Sequence, residues 1–491
     1  MKQNKLSYLL LIAALLAQCT LPSCGEASVS ESTDTGTTAA AKTDVLTGSG
    51  LAARDWGGKT FTVLTSKPSN ASFQNFEVYA ETENGDILND AVYNRNRTLE
   101  ELLNVTITEI VDPSETTNPN IRQTVLSDEK LYDLAFARSY EMGAMALDGM
   151  LYDMNQLEYA DYTQDWWDQL IIDNVELNDR LFFASSDFNL HAKKRTYMLL
   201  YNTDMADQYH IGNLADVVRA GKWTIDKQGE LVKLVASDLN GDTAMGLEDQ
   251  YGLIADDRKD LQYFLVAAGG MIAKKNTAGQ IELSLNNDKT VQLIDLWLDM
   301  MSPSYSVIPT NFSSVTTNFY SDSYNIFWSG RALFLDGMLN EVESASSKAD
   351  FGYKVLPLPK LDEQQAVHYT MTDNIGMLFC VPINVYDPSF TGYMLEALSY
   401  VSSSTTLPTY YEKCCKIKSV YDEDSAEMID LAMSNQICDI GFIYDIGDLD
   451  SILNSSIPRA MQNNFASLYS SKEGAALEAI ENIHNKMAEF D

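Results

Sequence analysis

Histidine, cysteine and basic residues are the scarce types in this chain of 491 residues: 4 His, 6 Cys, and 34 Lys plus Arg against 70 Asp plus Glu. Each scarcity narrows what the chain can do. The formal net charge of −36 repels nucleic acid and anionic lipid headgroups, so neither is expected as a partner. The four histidines (His191, His210, His368 and His484) have no metal-like spacing and form no HExxH. A GxSxG elbow and a Gly-rich phosphate loop are missing as well. These gaps argue against motif-borne hydrolysis, although 70 acids keep a paired-carboxylate enzyme, such as a glycoside hydrolase, as the rival class. No repeat of fixed period and no sustained heptad runs through the chain.

Long apolar runs are missing too. The N-terminal one, Tyr8 to Ala17, falls short of the about 20 residues a permanent membrane helix needs. Behind the positive Lys2 and Lys5 it fits the hydrophobic region of a secretory signal, 1–23. Leu21-Pro22-Ser23-Cys24-Gly25 resembles a bacterial lipobox, with Leu three before the Cys and a small residue beside the cut; Cys24 is then the lipidated first residue. Cys19 is a poorer candidate, because Gln18 precedes it. From Cys24 to about 55 the chain is rich in Ser, Thr, Ala and Gly, and reads as a flexible tether. An anchored tether places the body outside the cell, on the membrane's outer face.

The body of about 440 residues exceeds one core and suggests two lobes. Its 45% hydrophobic and 10% aromatic content is enough to fill both. Strand-like and helix-like segments alternate, as in an α/β layered fold. Phe61–Thr65, Val105–Ile110, Tyr132–Ala137, Thr196–Tyr201 and Leu333–Leu335 read as strands. Asn89 is a candidate cap for a helix running to Leu103, and amphipathic helices are expected at 226–236, 289–301, 391–403 and 474–490.

Several segments in order are similar to one known family. Leu200-Tyr201-Asn202-Thr203-Asp204 leads to Trp223-Thr224-Ile225-Asp226, and Asp238-Leu239-Asn240-Gly241-Asp242 leads to Asp249-Gln250-Tyr251-Gly252. Ala267-Ala268-Gly269-Gly270-Met271, Phe327-Trp328-Ser329-Gly330-Arg331 and Phe351 through Pro359 follow. Together they resemble family 1 extracellular solute-binding proteins of ABC importers, the maltose-binding-protein-like receptors. The likeness spans about 60 to about 400; the tail from 405 to 460 departs from the better-known sugar binders.

That resemblance implies a periplasmic-binding-protein-like type II fold, two α/β lobes joined by crossing strands around a ligand cleft. The first lobe would comprise 56–190 plus 375–415 and the second 195–370 plus 416–491, with crossings near 188–196 and 370–376. It implies a monomeric receptor without catalysis, whose partners are a sugar and the permease subunits of an importer. Open α/β sheets bind ligands beyond the carboxyl ends of their strands. Lys67, Arg138, Ser139 and Tyr140 occupy such loops and match family loops that hold sugar hydroxyls. Trp166 and Trp167 form the most exposed-looking aromatic pair, and Tyr197, Trp328 and Asp373 complete the candidate set. Each has a plainer alternative: one of the adjacent Trp residues must face the core, Trp328 sits in an apolar run, and Arg138 can pair with a nearby acid.

Asp238, Asn240, Asp242 and Asp249 stand at offsets of a calcium loop, but Thr243 replaces its glycine and Asp its final Glu. No cofactor is expected unless calcium binds there; a solvated acidic turn is the other reading. Cys380, Cys414, Cys415 and Cys438 allow several disulfide pairings, or none if they are small buried hydrophobes.

Overall fold

The structure, a computed structural model, describes residues 45–68, 75–256, 260–372, 376–415 and 423–490. Cys24, the expected lipidation site, and Asp373, an expected ligand contact, lie outside these residues.

Two sheets organise the described chain. The first has the order β11-β3-β1-β2, from β1 (Lys59–Ser66), β2 (Val105–Asp112), β3 (Leu134–Arg138) and β11 (Met377–Cys380). Strands β1, β2 and β3 run parallel, and β11 is antiparallel to β3. β3 and β11 are apolar along almost their whole length, as strands covered on both faces should be. The second sheet has the order β10-β4-β9-β5-β8, from β4 (Tyr197–Asn202), β5 (Tyr251–Ile254), β8 (Ser306–Val307), β9 (Ala332–Met338) and β10 (Tyr353–Leu356). A small antiparallel pair, β6 (Ala273–Lys275) and β7 (Ile281–Leu283), stands apart.

Local chemistry sets the helix ends. The helix Ile87–Leu103 starts earlier than expected, because Asp86 Oδ1 accepts the N–H groups of Leu88 and Asn89 at 3.0 and 3.1 Å. Asn89, the expected cap, lies inside the first turn and donates to Thr82 O. Thr224 caps Ile225–Val235 and Asn287 caps Asp288–Met300, each on the N–H three residues on. The last helix, Phe465–Ala488, begins well before its expected start.

Helices Pro388–Ser404 and Thr406–Cys415 pack on Ile87–Leu103 in the first lobe. Helix Glu423–Met433 covers β10, but Ile440–Ile443 is wedged between helix Ser139–Leu147 of the first lobe and β6. The wedge is tight: a Cβ on Gly143 would come within 2.5 Å of Ile443 O, so only glycine permits it. Asp439 holds the other side by accepting Ile272 N at 2.6 Å and Gly441 N at 2.8 Å.

Candidate functional site

Three segments cross between the sheets and are laced to each other. Thr196 pairs antiparallel with Thr372, and Thr370 pairs parallel with Gln436. Tyr197 N donates to Met371 O at 3.2 Å, and Thr370 Oγ1 donates to Tyr197 O at 2.8 Å. Gln436 Nε2 donates to both Thr196 Oγ1 and Thr372 Oγ1. At one end these crossings run into β11, beside the carboxyl end of β3; at the other they run into β4, beside the carboxyl end of β9. The loop-bearing edges of both sheets therefore meet at the crossings.

On the first edge, Arg138 ends β3 and Ser139 N donates to Gly376 O at 3.2 Å. Asn118 fixes this corner, its Oδ1 accepting Arg138 N at 3.1 Å. The Arg138 guanidinium reaches Glu115 at 3.2 Å and the Tyr140 hydroxyl at 3.4 Å, and its Nε has no hydrogen-bond partner among the described residues. Tyr140 is exposed, with its ring 6.5 Å from Phe442 on the tail wedge. Lys67 follows β1 with its side chain in solvent. Lys67, Arg138, Ser139 and Tyr140 thus share one sheet edge.

On the second edge, Tyr197 opens β4 and is buried, stacked on Tyr263 at a centroid distance of 3.6 Å. Its hydroxyl donates to Asp256 Oδ2, and Tyr324 donates to Asp256 Oδ1 at 2.6 Å. Burial, reinforced by Asp256, holds the Tyr324 phenol well above its ordinary range, so it stays a neutral donor. Asp336, on β9, is buried as well; burial pushes its carboxyl up, and Asp256 adds to this while Asp260 opposes it. Asp256 and Tyr324 are half-buried, and their oxygens are paired with each other and with Tyr197. Asp256, Tyr263 and Tyr324 were not foreseen. Asp256 stands just beyond β5, so the post-strand rule would have found it.

Other candidates lie elsewhere. Trp166 and Trp167 are both buried, contrary to the expectation of exposure, and donate to the two oxygens of Glu396 at 2.9 and 3.0 Å. Buried indole N–H groups need acceptors, and this carboxylate binds both into the core of the first lobe. Trp328 precedes β9, at the end of the sheet away from the crossings, where it packs on Phe327 with Lys348 above its ring. It cannot join the edge that Tyr197 lines.

The acidic turn spends its oxygens on its own backbone. Asp238 accepts Gly241 N and Thr243 N at 2.6 and 2.8 Å, and Asn240 accepts Asp242 N at 2.8 Å. Asp242 accepts Ala244 N at 2.8 Å, and Asp249 accepts Leu239 N and Gly246 N at 2.9 and 2.7 Å. Among the described residues, the carboxylates that converge within 4.8 Å of one another are instead those of Asp445, Asp448 and Asp450. Cys380 and Cys438 are free and buried. Among the described residues no helix is long and apolar enough to cross a membrane.

No protein-family model matches this sequence, and no curated protein is similar to it. Solved structures are. A cyclo/maltodextrin-binding protein complexed with maltotetraose is 13% identical, with a TM-score of 0.55 over 88% of this chain and 99% of that one. The galacto-N-biose-/lacto-N-biose I-binding protein of an ABC transporter from Bifidobacterium longum, in complex with lacto-N-biose, gives 13%, 0.55, 88% and 99%. A maltose-binding periplasmic protein from Listeria monocytogenes, in complex with maltose, gives 15%, 0.53, 88% and 98%. Likeness at this level of identity establishes architecture, and function has to be argued from the site. The chain has the two-lobed α/β fold of type II periplasmic binding proteins.

Proposed function

We propose that this chain is a solute-binding receptor that holds a carbohydrate between its lobes, closes over it and presents it to the permease subunits of an ABC importer. The observation that supports this most directly is the meeting of two oxygen-rich sheet edges at three laced crossings, Arg138 and Tyr140 on one side and Asp256 and Tyr324 on the other. The similar solved structures carry maltotetraose, lacto-N-biose and maltose, which favours a sugar as guest. Closure is a population shift toward the state that binds ligand better. The described edges are built from tyrosine, arginine and acids already committed to hydrogen bonds, which suits binding without turnover. A lipid on Cys24 would keep the body at the outer face of the membrane.

A thermal-shift series with maltose, maltotetraose and lacto-N-biose tests the reading. A sugar at 100 times its dissociation constant stabilises the protein by about 2.7 kcal/mol. The receptor raises its melting temperature and returns the sugar intact on chromatography; cleaved sugar would assign a glycoside hydrolase instead. Cys24→Ala should move the protein from the membrane fraction to the medium.

A further inference from the structure

The two sheet edges differ in charge. The second carries Asp256, which accepts hydrogen bonds from both Tyr197 and Tyr324 and so behaves as a carboxylate. The first is basic. Its parallel register, Val63↔Leu134 and Leu64↔Ala135, carried to the strand ends, sets exposed Lys67 beside Arg138. Lys67 N donates to Ser114 O at 3.0 Å, which brings the Glu115 loop to the same corner.

The first crossing adds cations behind this edge. Two of its lysines are spent inside the first lobe, Lys193 on Asp168 and Lys194 on Glu77 at 2.5 Å. Between them and the edge, His191 lies stacked on Phe76 with ring centroids 4.3 Å apart. Burial, reinforced by Arg195, Lys194 and Arg138, keeps that imidazole neutral, as a positive surrounding should. The net charge of −36 repels an anion at long range, but physiological salt screens exposed charges beyond about 8 Å, so the local sign decides what this corner accepts.

The Arg138 guanidinium is incompletely matched. Its side chain is only 14% exposed, so much of its hydration is lost. A guanidinium so far withdrawn from water is best met by a carboxylate that takes two of its N–H groups in parallel. Here Glu115, itself 54% exposed, reaches Nη2 alone at 3.2 Å, and the Tyr140 hydroxyl stands 3.4 Å from Nη1. Nε is buried and has no hydrogen-bond partner among the described residues. Nε and Nη2 share one edge of the planar group, an edge that matches the two oxygens of a carboxylate. Glu115 therefore fills half of that edge from a solvated position and leaves the other half unmet. A buried donor without an acceptor costs free energy, which a guest supplying one recovers.

We propose that the guest is an acidic saccharide, and that the carboxylate of a hexuronate unit displaces Glu115 and takes both Nε and Nη2 of Arg138. This rests on the receptor reading and names the chemical class of its ligand. The two edges also fix polarity: the anionic group is drawn to Lys67 and Arg138 and repelled by Asp256, so the sugar lies one way round between them.

Calorimetric titration of the full chain with digalacturonate, dimannuronate and cellobiouronate, each beside its methyl ester, tests this. At least one acid should bind about thirtyfold tighter than its uncharged ester, with an affinity that falls as salt is raised. Arg138→Gln should bring acid and ester to equal affinity, and Arg138→Lys should keep part of the difference. Glu115→Gln should tighten the acid severalfold, because a competing carboxylate is gone; this variant decides the matter if Arg138→Gln does not fold. Esters that bind as tightly as their acids, or acid binding that Glu115→Gln weakens, overturn the proposal. Tighter binding of a sulfated disaccharide than of any hexuronate overturns it too. Binding of maltotetraose with every hexuronate silent overturns it and leaves the receptor reading standing. Silence of acids, esters and neutral sugars alike sinks the receptor reading, and the proposal falls with it.

Discussion

Trp167 and Glu396 are 229 residues apart in sequence and 3.0 Å apart in space, indole nitrogen to carboxylate. Trp166 takes the other oxygen of the same carboxylate, and Asp161 N donates at 3.1 Å to the oxygen that Trp167 uses. One acid on helix Pro388–Ser404 thereby fixes the loop that carries both tryptophans. Burial nevertheless pushes Glu396 up to about 7, against the pull of those three donors.

A raised carboxyl binds its proton more tightly in the folded state. Between the ordinary carboxyl range and about pH 7 the folded protein keeps that proton while the unfolded chain has released it, so stability falls as pH rises through this window. Glu396→Gln should flatten part of that slope. Its melting temperature relative to the unsubstituted protein should become more favourable from pH 5 to pH 8, by an amount worth about 1–3 kcal/mol. Parallel slopes would show that Glu396 does not titrate there.

Position relative to the crossings separates the sugar-site candidates. Arg138→Ala should weaken the best sugar by about tenfold, or roughly 1.4 kcal/mol, in calorimetric titration. Trp328→Phe, at the far end of β9, should stay within about twofold. Equal losses in both would displace the site from the edges described.

Asp249 works in the opposite pH sense from Glu396. Burial opposes its ionisation, but the N–H groups of Gly246, Leu239 and Asn240, with Arg331 nearby, outweigh burial and hold its carboxyl below the ordinary range. Its contribution is complete above the unfolded value and is lost as pH falls through the folded one. Asp249→Ala should cost about 1–3 kcal/mol at pH 7 by urea denaturation, with the difference shrinking toward pH 3. Added calcium should move the urea midpoint less than this substitution does, since the turn's oxygens already cap its backbone.

Burial pushes the thiols of Cys380 and Cys438 up to about 12. Thiolates are the reactive form, so peptides containing either residue should remain unmodified after iodoacetamide treatment of the native protein and be labelled fully in denaturant. Labelling of native protein would place them at a mobile surface.

Period and local caps made much of the architecture legible. The 3.6-residue pattern located Ile225–Val235 and Asp288–Met300 to within a residue or two, and apolar runs located β1, β2 and β4, because side-chain periodicity is a property of neighbouring residues. The loop after β3 was equally readable, since it follows from strand direction. Long-range pairing was not. Tyr197 meets Asp256 across 59 residues, Trp166 meets Glu396 across 230, and Lys194 meets Glu77 across 117. Nothing in a local pattern states which of 70 acids a buried donor will reach. That choice arises when the chain crosses between the lobes and desolvation makes each unmatched polar group costly, so partners are selected by the path of the backbone.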